Sequence, residues 1–180
     1  MFRRNLFLCL IFLFLTISIY PTNYKGLKKE IDIFSQILNT SLKESVYHPL
    51  LVSDPPRGAY LDGYGVVFHA TLNLNRISIL ALSSRGNKKV SHGDSDVKTL
   101  IAKLKRNVVD TISQYGNGFK LLPSNEKICI IIHVLKRNLM EGKNLDKVLV
   151  IGVRKKDVDS FITKNITFEN FKKRIKYIEY

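Results

Sequence analysis

Two cysteines in 180 residues leave no basis for a disulfide framework. One of them, Cys9, lies in an apolar N-terminal run, so a domain lacking that run carries Cys129 alone and no intramolecular bridge can form. Cys129 sits in Ile128-Cys129-Ile130-Ile131-Ile132, which reads as a buried small hydrophobe and not as a nucleophile. Catalytic signatures are missing as well. There is no Gly-x-Ser-x-Gly elbow, no His-Glu-x-x-His helix and no phosphate-binding loop. No apolar run attains the ~20 residues of a full membrane span.

Acidic residues are scarce, 15 against 29 basic, for a formal charge of +14. Such an excess invites a nucleic-acid reading. However, lysine far outnumbers arginine, isoleucine and asparagine are abundant, and the basic residues are scattered. That pattern favours compositional bias and a generally basic solvated surface over a nucleic-acid interface. With 45% hydrophobic and 24% charged residues, the chain has the composition of an ordinary folded domain.

At the N-terminus, Met1-Phe2-Arg3-Arg4 followed by the apolar stretch from Leu6 to Tyr20 has the form of a secretory signal. No small-x-small cleavage site follows, since Ile19-Tyr20-Pro21-Thr22-Asn23 is a poor one, so residues 1–22 read as a signal peptide or a signal anchor. Cys9 does not suit lipidation, because Leu8 precedes it where a small residue is expected. The remainder, residues 24–180, is expected to form one domain, with an amphipathic helix at 24–47 and a sheet-and-helix core at 59–180.

Within the helix, Leu27, Ile31, Phe34, Leu38 and Leu42 recur three or four apart, the spacing of a buried stripe. A helix packed on the sheet is preferred to a juxtamembrane stalk. His48-Pro49 and Asp54-Pro55-Pro56-Arg57-Gly58 read as an exposed connector. The stretch that organises the rest is Tyr64 to Leu74, where Val66, Phe68, Ala70, Leu72 and Leu74 alternate with Val67, His69, Thr71 and Asn73. It follows Asp62-Gly63, expected to form a two-residue hairpin turn. Residues 77–82 suggest another strand. A helix capped by Ser95 or Asp96 runs to Tyr115 and stops at Gly116, presenting Val97, Leu100, Ile101, Leu104, Val108, Ile112 and Tyr115 on one face.

Lys127 to Leu135 and Val148 to Val153 are apolar on both sides, as in strands covered on both faces. Asp157 and Thr167 are candidate caps for two short final helices. The expected order α-β-β-β-α-β-β-α-α implies an α+β fold. Its sheet should be largely antiparallel, of four to five strands, with helices packed on it. Gly63-Tyr64-Gly65-Val66-Val67-Phe68, Tyr115-Gly116 with Leu121-Leu122-Pro123 and Glu126, and Lys155-Lys156-Asp157 with Phe161 together resemble a family of uncharacterised exported bacterial proteins of acidobacterial type. The resemblance spans most of residues 60–175. It implies an exported α+β domain and carries no catalytic residue across.

Four constellations merit weighing. Ser91-His92-Gly93-Asp94-Ser95-Asp96 places an imidazole and two carboxylates together, but Gly, Ser and Asp before a helix are ordinary capping chemistry. His69 could pair with Asp54, Asp62 or His133 as an acid/base couple. Tyr60 and Tyr64 flank the turn, where cross-strand packing is the simpler reading and an aromatic rim the other. Asn39-Thr40-Ser41 and Asn165-Ile166-Thr167 fit the glycosylation sequon, which matches often by chance.

No catalytic, cofactor-binding or metal-ligating residue is assigned, and no cofactor is expected. The preferred expectation is a non-catalytic exported module, periplasmic, extracellular or anchored at the inner membrane, that binds another envelope component. Lys25, Lys28 and Lys29 near the anchor, with Lys172, Lys173, Arg174 and Lys176, would meet an anionic membrane surface if the two clusters share a face. The competing class is a small hydrolase or metal-dependent enzyme using His69, His92 and nearby aspartates.

Overall fold

A computed structural model describes residues 24–46, 52–74, 94–138, 143–144 and 146–180. Helix α1 spans Tyr24–Ser45 and buries Leu27, Ile31, Phe34, Leu38 and Leu42, the stripe expected from their spacing. It packs on strand β1 (Val52–Leu61) rather than standing away as a stalk. Contact is close at Gly58, where a Cβ would lie 2.4 Å from Ile31 Cγ2. Strand β2 (Gly65–Asn73) keeps the alternation of its sequence: Val66, Phe68, Ala70 and Leu72 are buried, while His69 is exposed and Val67, Thr71 and Asn73 half-buried.

Helix α2 (Asp94–Tyr115) lies antiparallel to α1. Thr111 Oγ1 donates to Ser41 Oγ at 2.8 Å and Asn107 Nδ2 to Ser45 Oγ at 2.8 Å. Its buried face holds Leu100, Ile101, Leu104, Val108 and Ile112, but Tyr115, placed on that face by spacing, is exposed. The helix gives way to a 3-10 turn at Gly116–Gly118, as the glycine signals. Strand β3 (Lys127–Leu135), short strands β4 (Arg137–Asn138) and β5 (Lys143–Asn144), strand β6 (Lys147–Arg154), helices α3 (Lys155–Ile162) and α4 (Phe168–Arg174) and strand β7 (Lys176–Glu179) follow.

The fold is α+β, with five strands in the order β1-β2-β3-β6-β7 and the helices packed against them. Three of the pairings are antiparallel. The central one, β2 with β3, is parallel, because the chain returns through α2 to the end of the sheet where β2 begins before β3 starts. Phe34, Phe68 and Phe119 form the centre of the core, Phe34 lying 5.0 Å from each of the other two rings.

Several expectations are corrected. The Asp54–Gly58 stretch is part of β1 and not a connector. As an edge strand, β1 tolerates Pro55 and Pro56, and its register shifts on either side of Asp54 absorb their missing donors. The turn is one residue longer than expected: Leu61 pairs with Gly65, Tyr64 N donates to Leu61 O at 3.0 Å, and Gly63 supplies the positive φ of 72°.

Helix α3 starts two residues before Asp157, with Arg154 as its N-cap, so Asp157 lies in the first turn and is buried there. Thr167 does cap α4, accepting from Asn170 N at 3.3 Å. Beyond it, α4 ends at Arg174 and the chain turns at Ile175 into β7, where the sequence suggested only helix. The strand suggested at 77–82 lies outside the described residues, as do the signal segment and His92.

Candidate functional site

Because side chains alternate along each strand, one face of the sheet buries its apolar set under the helices and the other shows its residues in cross-strand rows. One row runs Ala59, Val67, Cys129, Gly152, Lys176. The next runs Arg57, His69, Ile131, Val150, Ile178, and a third brings Asp54, Thr71, His133 and Val148 into line. Among the described residues nothing covers this second face. Ile131, Val148 and Val150 are half-buried and Ile178 is exposed, which corrects the expectation of a sheet covered on both sides.

His69 and His133 are diagonal neighbours across the parallel seam, and their rings lie 4.9 Å apart. Asp54 Oδ2 stands 3.8 Å from His69 Nδ1, beyond hydrogen-bonding distance, and both side chains are close to half exposed. The sequence pairing of His69 with His133 and Asp54 is therefore brought together in space, without the contact that would orient the imidazole for proton transfer. Asp62 is placed elsewhere, in the turn, where its Oδ1 lies 3.3 Å from the Tyr60 hydroxyl. Among the described residues no three His, Cys, Asp or Glu side chains form a group able to hold a metal.

Cys129 shares the open face yet is buried, and Tyr64 of the turn is its polar neighbour. Burial pushes the thiol above its ordinary value, against smaller opposing effects of the Tyr64 hydrogen bond and the Lys127 charge. The Tyr64 phenol is raised too, by the hydrogen bond with Cys129 first and by desolvation second. Both groups are thus held in their protonated forms, the reverse of what a thiolate nucleophile requires. Tyr60 packs on Tyr24 at 5.8 Å and donates to Glu126 Oε1 at 2.9 Å, and Tyr64 lies under Lys127 Nζ at 4.9 Å. The two tyrosines thus have separate surroundings and do not form a joint rim.

The described hollows are elsewhere. One, of about 420 Å³, runs between α1 and α2 beside Ser41 and Thr111, and another, of about 640 Å³, lies around Phe161 and Phe168. The chain matches no protein-family model, and no curated protein or solved structure is significantly similar to it. Cross-strand register, invisible in a linear reading, is what assembles His69, His133, Ile131 and Val150; only the alternation of β2 signalled which face they occupy.

Proposed function

We propose that this chain is a non-catalytic binding module of the cell envelope, exported or membrane-anchored, whose open sheet face contacts a protein partner with an apolar centre and an acidic rim. The observation that carries the reading is that this face lies open among the described residues, together with its composition. Ile131, Val150 and Ile178 form its middle, and Arg57 and Lys176 outweigh Asp54 in charge around it. Export rests on Arg3, Arg4 and the Leu6 to Tyr20 run, and agrees with what the resemblance to exported bacterial proteins implies.

Fusing residues 1–26 to a reporter active only outside the cytoplasm should give signal, and replacing Leu10 and Leu13 by Arg should abolish it. Each charge costs about 2.5 to 3.5 kcal/mol in an apolar segment. A soluble cytoplasmic reporter would refute export. For the face itself, a photocrosslinker at Val150 should trap one defined partner in cells, and Ile131→Glu should remove that adduct without lowering the melting temperature. Persistence of the adduct would move the contact elsewhere.

The proximity of His69 and His133 supports a second reading, a hydrolase or metal-dependent enzyme centred there. Zinc binding by the purified chain that is lost in His69→Gln and His133→Gln would favour it over the binding module.

A further inference from the structure

The end of the sheet where β2 and β3 begin gathers a particular set of side chains. Tyr24 at the start of α1 packs on Tyr60, so the first turn of the helix stands beside the β1–β2 turn. In that turn Leu61 is 50% exposed and Tyr64 40%, and Tyr24 itself is 59% exposed. Lys127 opens β3 above the Tyr64 ring, and across the sheet Arg154 and Lys176 lie at the same end, opposite Lys127 and Gly152. Lys25 and Lys29 of α1 and Lys120 of the connecting loop are exposed there too.

The acids at this end are largely engaged inside the fold. Glu30 accepts from the backbone N–H groups of Lys120 and Leu121 at 3.2 Å each, and Glu126 is buried under Tyr60. Asp157 is buried between Arg154 and Arg174, and Asp159 holds Lys155. Asp62 in the turn is exposed, and Asp32, also exposed, is paired with Lys28 at 2.9 Å. The exposed charge at this end is therefore strongly positive, and it surrounds two tyrosines and a leucine.

The position of this end in the chain points to a partner. The apolar run closes at Tyr20, and residues 21–23 span at most about 10 Å before α1 begins. Whatever holds the run holds this end of the domain close to it.

We infer that this end is a membrane-seating surface for anionic phospholipid, with Tyr24, Leu61 and Tyr64 at the interfacial depth and Lys25, Lys127 and Lys176 against lipid phosphates. This rests on the anchoring reading above and adds an orientation to it. Tyrosine suits the boundary because its ring is apolar and its hydroxyl polar, and clustered lysines are drawn to a negative leaflet. The charge is also simpler than the raw cluster near the C-terminus implies: Lys172 is paired with Glu169 and Arg174 with Asp157, leaving Lys173 and Lys176, of which Lys176 is placed at this end by its pairing with Gly152.

The sequence contains no tryptophan, so a single introduced indole reports without background. The full chain carrying Tyr64→Trp is reconstituted with vesicles of phosphatidylcholine and phosphatidylglycerol whose acyl chains are brominated, and with brominated phosphatidylcholine alone. Lys147→Trp, on an exposed position at the opposite end of β6, serves as the distal probe. The indole at position 64 should be quenched at least about twofold more in anionic than in neutral vesicles, and more than the distal probe. Lys25→Glu, Lys127→Glu and Lys176→Glu together should return it to the neutral level. Leu61→Trp repeats the measurement if Tyr64→Trp lowers the melting temperature.

Flotation of the same samples separates the two readings. A chain that floats with vesicles but shows equal quenching at positions 64 and 147, or no preference for anionic lipid, overturns this orientation and leaves anchoring intact. A chain that stays at the bottom of the gradient overturns anchoring, and the orientation with it.

Discussion

A Cβ on Gly65 would lie 2.1 Å from the carbonyl oxygen of Lys127, so the parallel seam between β2 and β3 begins with two backbones in direct contact. Gly65 also has a φ of 128°, which L side chains rarely adopt. Gly65→Ala therefore combines backbone strain with a clash that no rotamer relieves. It should destabilise the fold by about 3 kcal/mol or more in chemical denaturation. A loss below about 1 kcal/mol would mean that the seam is looser than this geometry.

Gly63 separates the two contributions. Its φ is 72° and nothing lies within 4 Å of a Cβ built there, so only the backbone cost applies. Gly63→Val should cost roughly 1 to 2 kcal/mol, clearly less than Gly65→Ala, and an unchanged melting temperature would contradict the positive φ at the turn.

Phe34 touches both Phe68 and Phe119 at 5.0 Å and is the ring through which α1 grips the sheet. Phe34→Ala should cost about 3 to 5 kcal/mol, through lost burial and the cavity left behind, whereas Phe34→Leu should cost markedly less. Equal effects of the two, measured by urea denaturation, would argue against close packing at this point.

Asp157 binds Arg154 Nε at 3.2 Å and Arg174 Nη1 at 2.7 Å, which joins the start of α3 to the end of α4. The carboxylate is buried and the two guanidinium groups are about half exposed, so the three substitutions should be unequal. Asp157→Ala strands no buried charge but removes the link and leaves a gap, and should cost about 2 kcal/mol. Arg154→Ala or Arg174→Ala, each leaving the other arginine in place, should cost about 1 kcal/mol or less. A larger loss for either arginine than for Asp157 would reverse this assignment.

Cys129 and Tyr64 both have folded values raised above the ordinary 9.0 and 10.0, the thiol by burial and the phenol mainly by its hydrogen bond with the thiol. A raised value means that the folded state holds its proton more tightly than the unfolded chain. The associated stability is fully present below the unfolded value and is lost as pH rises through the folded one. Stability should fall from about pH 9 upward, and Cys129→Ala should flatten that fall at its acidic edge. Thiol labelling should likewise be slow in the native protein and fast in denaturant; rapid native labelling would show that Tyr64 does not shelter the sulfur.

Local periodicity by itself determined the buried stripe of α1 and the inward set of β2, because Leu27 to Leu42 and Val66 to Leu72 each repeat at the period of one element. The positive φ at Gly63 and the cap at Thr167 were legible for the same reason, since each depends on residues a few positions apart. Tertiary structure decided the rest. Pro55 and Pro56 are admitted to a strand because β1 lies at an edge, and β7 exists as a strand because β6 offers it a ladder. Asp157 is buried because arginines from two elements meet there, and His69 reaches His133 because α2 returns the chain to lay β3 parallel to β2. Strand order and register arise from long-range pairing, which no short window of sequence contains.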